Sequence, residues 1–149
     1  AYGEVDELNA CLGAVLSAGI DRDLAELLVG VQRCLFSLGA SLADPSTRGS
    51  RHAKVNATEA DVLGLEGWID RLETELPPLQ RFILPGGHPI ASTVHLARAV
   101  CRRAERRVAG LGAGAVDETV IAYLNRLSDL LFVLARVVNV RAGVAEQEW

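Results

Sequence analysis

DETVIAYLNRLSDLLFVLARVVNVR, residues 117–141, decides the fold. Val120, Leu124, Leu127, Leu131, Leu134 and Val138 alternate by three and four, the spacing of one helix face packed in a bundle. The opposite face gathers Asn125, Asp129, Phe132, Arg136 and Asn139 within about 80°, at about 100° per residue. Outward from this segment, four more stretches carry the same period. The first, from about residue 4 to 18, places Leu8, Leu12 and Val15 on one face and Asp6, Ala10, Gly13 and Ser17 on another. The second, about 23–42, has the stripe Leu24, Leu28, Val31, Leu35 and Leu38. The third opens at Thr58, which forms a capping-box variant with Asp61, and runs to about residue 76. Its expected core residues are Leu63, Ile69 and Leu72. The fourth spans about 90–111 and ends at GAG. No strand pairs and no repeat interrupt this pattern. The expected architecture is all-α, a single five-helix bundle over residues 1–149.

Two connections stand out. ADPSTRGSRHAKVNA (43–57) reads as a polar loop without strand pattern. PPLQRFILPGGHP (77–89) cannot be helical throughout, because each proline disfavours helix at the residue before it. Yet it carries Phe82, Ile83 and Leu84 in a row. Such a loop is either tucked under the domain or holds binding groups.

A chain of 149 residues is most simply one domain, large enough to bury about two-thirds of its unfolded surface. Half of its residues are hydrophobic but only 5% are aromatic, so the core is mainly Leu, Val and Ala. Cys11, Cys34 and Cys101 form no Cys-x-x-Cys pair and lie in apolar helical contexts. They read as small core residues in a reducing compartment, the cytoplasm. No uninterrupted apolar run approaches the roughly 20 residues of a membrane span, and the first residues do not resemble a signal peptide. A net charge of -4 and a single lysine argue against nucleic-acid binding. The chain holds no methionine, so the start of the gene product, and with it part of a site, is expected upstream of Ala1.

Against that acidic background RAVCRRAERR (98–107) packs five arginines and one glutamate into ten residues. On a helix, Arg98, Arg102 and Glu105 fall within about 60° of one another, with Arg106 beside them. Arginine offers a rigid fork of donors suited to phosphate oxygens. The run is therefore either a solvated, ion-paired face or one edge of a polyphosphate site. Asp6 or Glu105 is a candidate to pair with Arg98 and aim it; Asp6 serves equally as a first-turn acid favouring the helix dipole. Asn125 either joins such a site or bonds locally. Other chemistries fit poorly. His52, His88 and His95 show no metal-ligand spacing, no Ser/His/Asp constellation is legible, and GLGAGA (110–115) is too short for a dinucleotide fingerprint.

YGEVDELNA (2–10), VQRCLFSLGASLADP (31–45), FILPGG (82–87), ARAVCRRAERRV (97–108) and YLNRLSDLLFVLAR (123–136) together resemble the ATP:cob(I)alamin adenosyltransferases of the PduO type. The likeness runs from Tyr2 to about Arg141, with the motifs in the family's order. It implies a homotrimer of five-helix bundles with sites between subunits. It also implies ATP and a corrinoid as substrates, with Mg2+ accompanying the nucleotide. Cobalt(I) then attacks the 5′ carbon of ATP, releasing tripolyphosphate. The resemblance assigns ATP contacts to Arg102, Arg103, Ala104, Glu105, Arg106 and Asn125. It assigns an ion pair at the site to Asp6 and Arg98, and closure of the lower corrin face to Phe82. Arg102, Arg98 and Asp6 are thus the expected catalytic group, with Asp129 as structural support. The family's Gly- and Thr-rich phosphate segment precedes the first of these motifs and is absent from this sequence, so no residue is assigned to the metal. A reductase and an adenosylcobalamin-dependent mutase are the implied protein partners. A non-enzymatic adenosylcobalamin or nucleotide carrier or sensor on the same bundle is the alternative, and a purely structural helical oligomer a third reading.

Overall fold

A computed structural model describes residues 1–43 and 57–149. Five helices carry the described residues: α1 (Tyr2–Ser17), α2 (Arg22–Ala43), α3 (Glu59–Glu73), α4 (Pro89–Ala109) and α5 (Glu118–Arg141). The expected polar loop falls almost wholly on residues 44–56, outside the described residues. Helix starts follow local chemistry. The Thr58 hydroxyl accepts from the Asp61 amide at 3.2 Å, and the Asp61 carboxylate accepts from the Thr58 amide at 2.8 Å. This is the reciprocal capping box expected from the sequence. Pro89 opens α4, where its missing N–H costs nothing, and the Asp117 side chain caps α5 at Thr119.

The helices pack in the spatial order α2, α1, α4, α5, α3. All six expected seam positions of α5 are buried. Tyr123, Leu130, Val133, Ala135 and Val137 are buried too, because α4 covers one side of this helix and α3 another. The core of α3 differs from expectation: Leu63 is 66% exposed and Leu65 takes its place at 4%. The stripe is Val62, Leu65, Ile69 and Leu72, which alternates by three and four; Leu63 lies one residue off it. Only Cys101 of the three cysteines is fully buried, while Cys11 and Cys34 sit at half-covered positions. One helix, α2, has the length and hydropathy of a membrane span. Its Leu24, Leu28, Val31, Leu35 and Leu38 instead face the bundle core.

Two polar features tie the elements together. Arg141, at the end of α5, donates to Asp21 and Asp23 at the start of α2 and to Glu75 after α3. The second is the 77–88 loop, which is not tucked under the domain. Phe82 is 80% exposed, and Leu79 and Leu84 are also exposed. Polar bonds hold the loop instead. Residues 142–149 return alongside it and form an isolated antiparallel bridge between Ile83 and Glu148. Leu84 N–H donates to the Gln147 carbonyl at 2.8 Å, and Trp149 N–H to the Phe82 carbonyl at 2.9 Å.

Candidate active site

A cavity of about 740 Å3 opens between α3, the 77–88 loop, α4 and α5. Phe82, Leu79 and Ile83 come from the loop, and Arg98 and Arg102 from α4. Arg126, Ser128, Asp129, Phe132 and Val133 line it from α5, and Glu66, Ile69, Asp70 and Glu73 from α3. One wall is therefore cationic and aromatic, the opposite wall acidic.

The cavity brings together four residues singled out in the sequence: Phe82, Arg98, Arg102 and Asp129. Arg98 is half-buried, with its guanidinium 5.7 Å from the Phe132 ring centroid, a cation–π geometry. Its Nε is buried without a hydrogen-bond partner among the described residues. Arg102 is exposed and, among the described residues, carries no ion pair. Arg126, by contrast, is neutralised by Glu66 at 3.1 Å and Asp129 at 2.7 Å. Arg98 and Arg102 are the uncompensated cations of this cavity.

The rest of the arginine run divides. Arg103 and Arg107 turn to the other side of α4, where Arg103 pairs with Glu7 and Arg107 with Glu4 of α1. The Glu7 carboxylate raises the Arg103 pKa. Arg106 is exposed and unpaired among the described residues. Ala104 is fully buried, with its side chain in the core. Glu105 does not aim Arg98: it accepts from the Asn125 amide at 2.9 Å, joining α4 to α5 next to the cavity. Asp6 is not paired with Arg98 within the chain. It is exposed and lines a separate groove between α1 and α2 with Tyr2, Asn9, Phe36 and Gly39. Helix adjacency explains this, since Arg98 turns to the α5 side of α4 and Asp6 to the α2 side of α1.

His95, one turn before Arg98, is 5% exposed, and neither ring nitrogen has a partner among the described residues. Its ring meets Phe132 edge-on at 6.2 Å. Burial, reinforced by the Arg98 charge and opposed by Glu146, lowers its pKa and keeps it neutral. Burial likewise pushes the Cys101 thiol up to about 12, which makes it inert at neutral pH. Among the described residues no cluster of three or more His, Cys, Asp or Glu side chains could hold a metal ion. The carboxylates on α3 and Arg126 were not read as site residues from sequence. Their signal was the spacing of Glu66, Asp70 and Glu73, which repeats by four and three on one helix face.

The sequence profile of a family described as cobalamin adenosyltransferase matches residues 1–138. The chain belongs to that family. A corrinoid adenosyltransferase of Bacillus subtilis is 44% identical over all of this chain and 78% of its own length. One from Mycobacterium tuberculosis is 42% identical over 93% of this chain and 74% of its own. Among solved structures, a variant of the PduO-type ATP:corrinoid adenosyltransferase from Lactobacillus reuteri, complexed with cobalamin and ATP, superposes with a TM-score of 0.88 at 35% identity. It covers 99% of this chain and 83% of that one. Another variant of that enzyme, complexed with ATP, gives a TM-score of 0.88 at 34% identity, with 99% and 84% covered. The all-α five-helix architecture read from the periodicity is the architecture of this chain.

Proposed function

We propose that this adenosyltransferase-family chain transfers the 5′-deoxyadenosyl group of ATP to cob(I)alamin, giving adenosylcobalamin and tripolyphosphate. One observation carries the reading: a single cavity faces an exposed aromatic, Phe82, toward two uncompensated arginines, Arg98 and Arg102. Cobalt(I) donates its electron pair to the 5′ carbon, the C5′–O5′ bond breaks, and that bond's pair leaves on the tripolyphosphate. Charge then builds on phosphate oxygens, where fixed guanidinium groups stabilise the transition state more than the ground state. Arg102 supplies this stabilisation, with Arg106 and the Glu105–Asn125 pair at the nucleotide end. Phe82 shields the lower corrin face and displaces the lower ligand, which makes reduction to cobalt(I) feasible. Mg2+ fits as a companion of the triphosphate, because this ion keeps most of its waters and takes few protein ligands.

A homotrimer completes the site. Asp6 lies in a groove floored by Gly39, Ala40 and Ala43, small enough for a second copy to approach closely. The Asp6 carboxylate of one copy then meets Arg98 of the next, whose Nε lacks a partner. Arg103 enters the same interface from the α1 side. The free thiols agree with a cytoplasmic setting. There a reductase supplies the electron, and an adenosylcobalamin-dependent mutase receives the product.

The test is to mix the full gene product with ATP, magnesium and chemically reduced cob(I)alamin and follow the corrinoid spectrum. Protein-dependent conversion to adenosylcobalamin supports the transferase, whereas bound but unchanged corrinoid identifies a carrier. Phe82→Ala is expected to slow corrinoid activation while nucleotide binding stays near wild type. Full activity in both Phe82→Ala and Arg102→Ala would sink the site assignment.

A further inference from the structure

Arg136 and Asn139 stand one turn apart on α5, on the face that also carries Asp129 and Phe132, yet neither lines the cavity. Both are buried, at 6% and 1% exposure. Their bonds converge on the segment that presents Phe82. The Asn139 amide donates to the Gly86 carbonyl at 3.0 Å and accepts from the His88 N–H at 2.8 Å, gripping the end of the loop. Arg136 donates to the Pro77 carbonyl at 3.3 Å, gripping its beginning. The same two residues hold the returning segment 142–149. Arg136 pairs with Glu146 at 2.9 Å, and the Asn139 carbonyl accepts from Val144 N–H at 2.9 Å. That segment in turn bonds the Phe82 carbonyl itself.

The fit is close. Gly87 sits at φ +100°, and a Cβ there would lie 2.3 Å from Asn139 Oδ1. A loop kept only for stability would bury its aromatic ring. Here the ring is 80% exposed, and the immobilisation comes from buried polar bonds behind it. Polar groups buried this deeply are costly unless every bond is made, so the loop has one favoured position.

We infer that Arg136 and Asn139 are positioning residues for the corrinoid step: they fix the height of Phe82 over the cavity and thereby set how completely the lower ligand of the cobalt is displaced. The inference rests on the adenosyltransferase reading. Pre-organisation of this kind removes an ordering cost that the corrinoid would otherwise meet on binding.

The experiment uses the full chain with cob(II)alamin and ATP and reads the spectroscopic signature of cobalt(II) lacking its lower ligand. ATP affinity and melting temperature are measured alongside. Gly87→Ala disturbs the grip from the loop side, by pressing a Cβ against the Asn139 amide, and Asn139→Ala disturbs it from the helix. Each is expected to lower the ligand-free cobalt fraction and the turnover about tenfold, the cost of one broken buried bond. ATP affinity should stay within about twofold, since the arginines are untouched. Because the grip acts through Phe82, the double variant Phe82→Ala/Gly87→Ala should be no worse than Phe82→Ala alone. Losses that multiply in the double variant, or a wild-type cobalt signature in Gly87→Ala, overturn the inference while leaving the transferase standing. Should Asn139→Ala fail to fold, Gly87→Ala decides the matter by itself. A wild-type chain that never alters the cobalt(II) spectrum overturns the functional reading, and the positioning role with it.

Discussion

Arg102→Ala separates a working cation from its neighbours in the same run. Arg102 lines the cavity, is exposed, and has no carboxylate partner among the described residues. Truncating it therefore removes no internal bond, and stability should change by no more than about 0.5 kcal/mol. Against a triphosphate the account differs. A hydrogen bond to a charged group contributes about 1.5–3 kcal/mol. Each 1.36 kcal/mol is tenfold in rate, so loss of one such contact should lower kcat/KM by about 10- to 150-fold. Arg107 is the internal control, because it carries the same charge but turns toward Glu4 of α1 at 3.7 Å. Arg107→Ala should stay within about threefold of wild type, the scale of a screened surface pair. The assay is initial-rate adenosylation at varied ATP, with thermal melting of each variant in parallel. Equal losses in the two variants would refute the reasoning, since they would mean a diffuse field and not a placed donor. So would a loss in Arg102→Ala that tracks a drop in melting temperature.

Arg136→Met should release the 142–149 segment without unfolding the bundle. Breaking a buried pair costs about 3–5 kcal/mol if the orphaned charge stays in place, but the segment is otherwise held by a few backbone bonds of about 1 kcal/mol each. The Arg81–Glu148 pair at 3.6 Å is exposed and adds little, so peeling away is the cheaper route: Leu84 and Trp149 amides should lose hydrogen-exchange protection while the α5 core keeps its own, and a protected Trp149 would contradict this. His95 makes stability pH-dependent. Its folded pKa is lowered by burial, so its share of stability is full above the unfolded value of about 6.5 and is lost as pH falls through the folded value. The melting temperature should fall between about pH 7.5 and 5.5 in the wild type and much less in His95→Phe; parallel curves would exclude His95 as the cause.

What was legible in the sequence was local or periodic. Thr58 with Asp61 announces a helix start because a cap is chemistry between near neighbours, whereas Pro89, read as the end of the loop, opens α4. The α5 seam is readable because six positions repeat the same spacing. Leu63 and Leu65 are a different matter: both are leucines on one short helix, and only the position of α5 decides which is covered. The arginine run shows the same limit at the site. Its spacing grouped Arg98 with Arg102, but whether Glu105 answers Arg98 or Asn125 depends on how α5 lies against α4. Glu146 and the segment around it carry no period at all, so their grip on the Phe82 loop was invisible before the fold was known.

Arg141 bears on how long the native state survives. Its partners Asp21, Asp23 and Glu75 lie 120, 118 and 66 residues away along the chain. Such contacts form only after most loop-closure entropy has been overcome, late in folding. Interactions absent from the transition state act on the unfolding rate and leave the folding rate nearly unchanged. The cluster is in effect a latch on lifetime. Acid opens it: Arg141 holds the Asp23 and Glu75 carboxylates below their usual range, and that stabilisation disappears as pH falls through their folded values. Brief acid exposure should therefore shorten the protein's kinetic half-life more than it changes the speed of refolding at neutral pH.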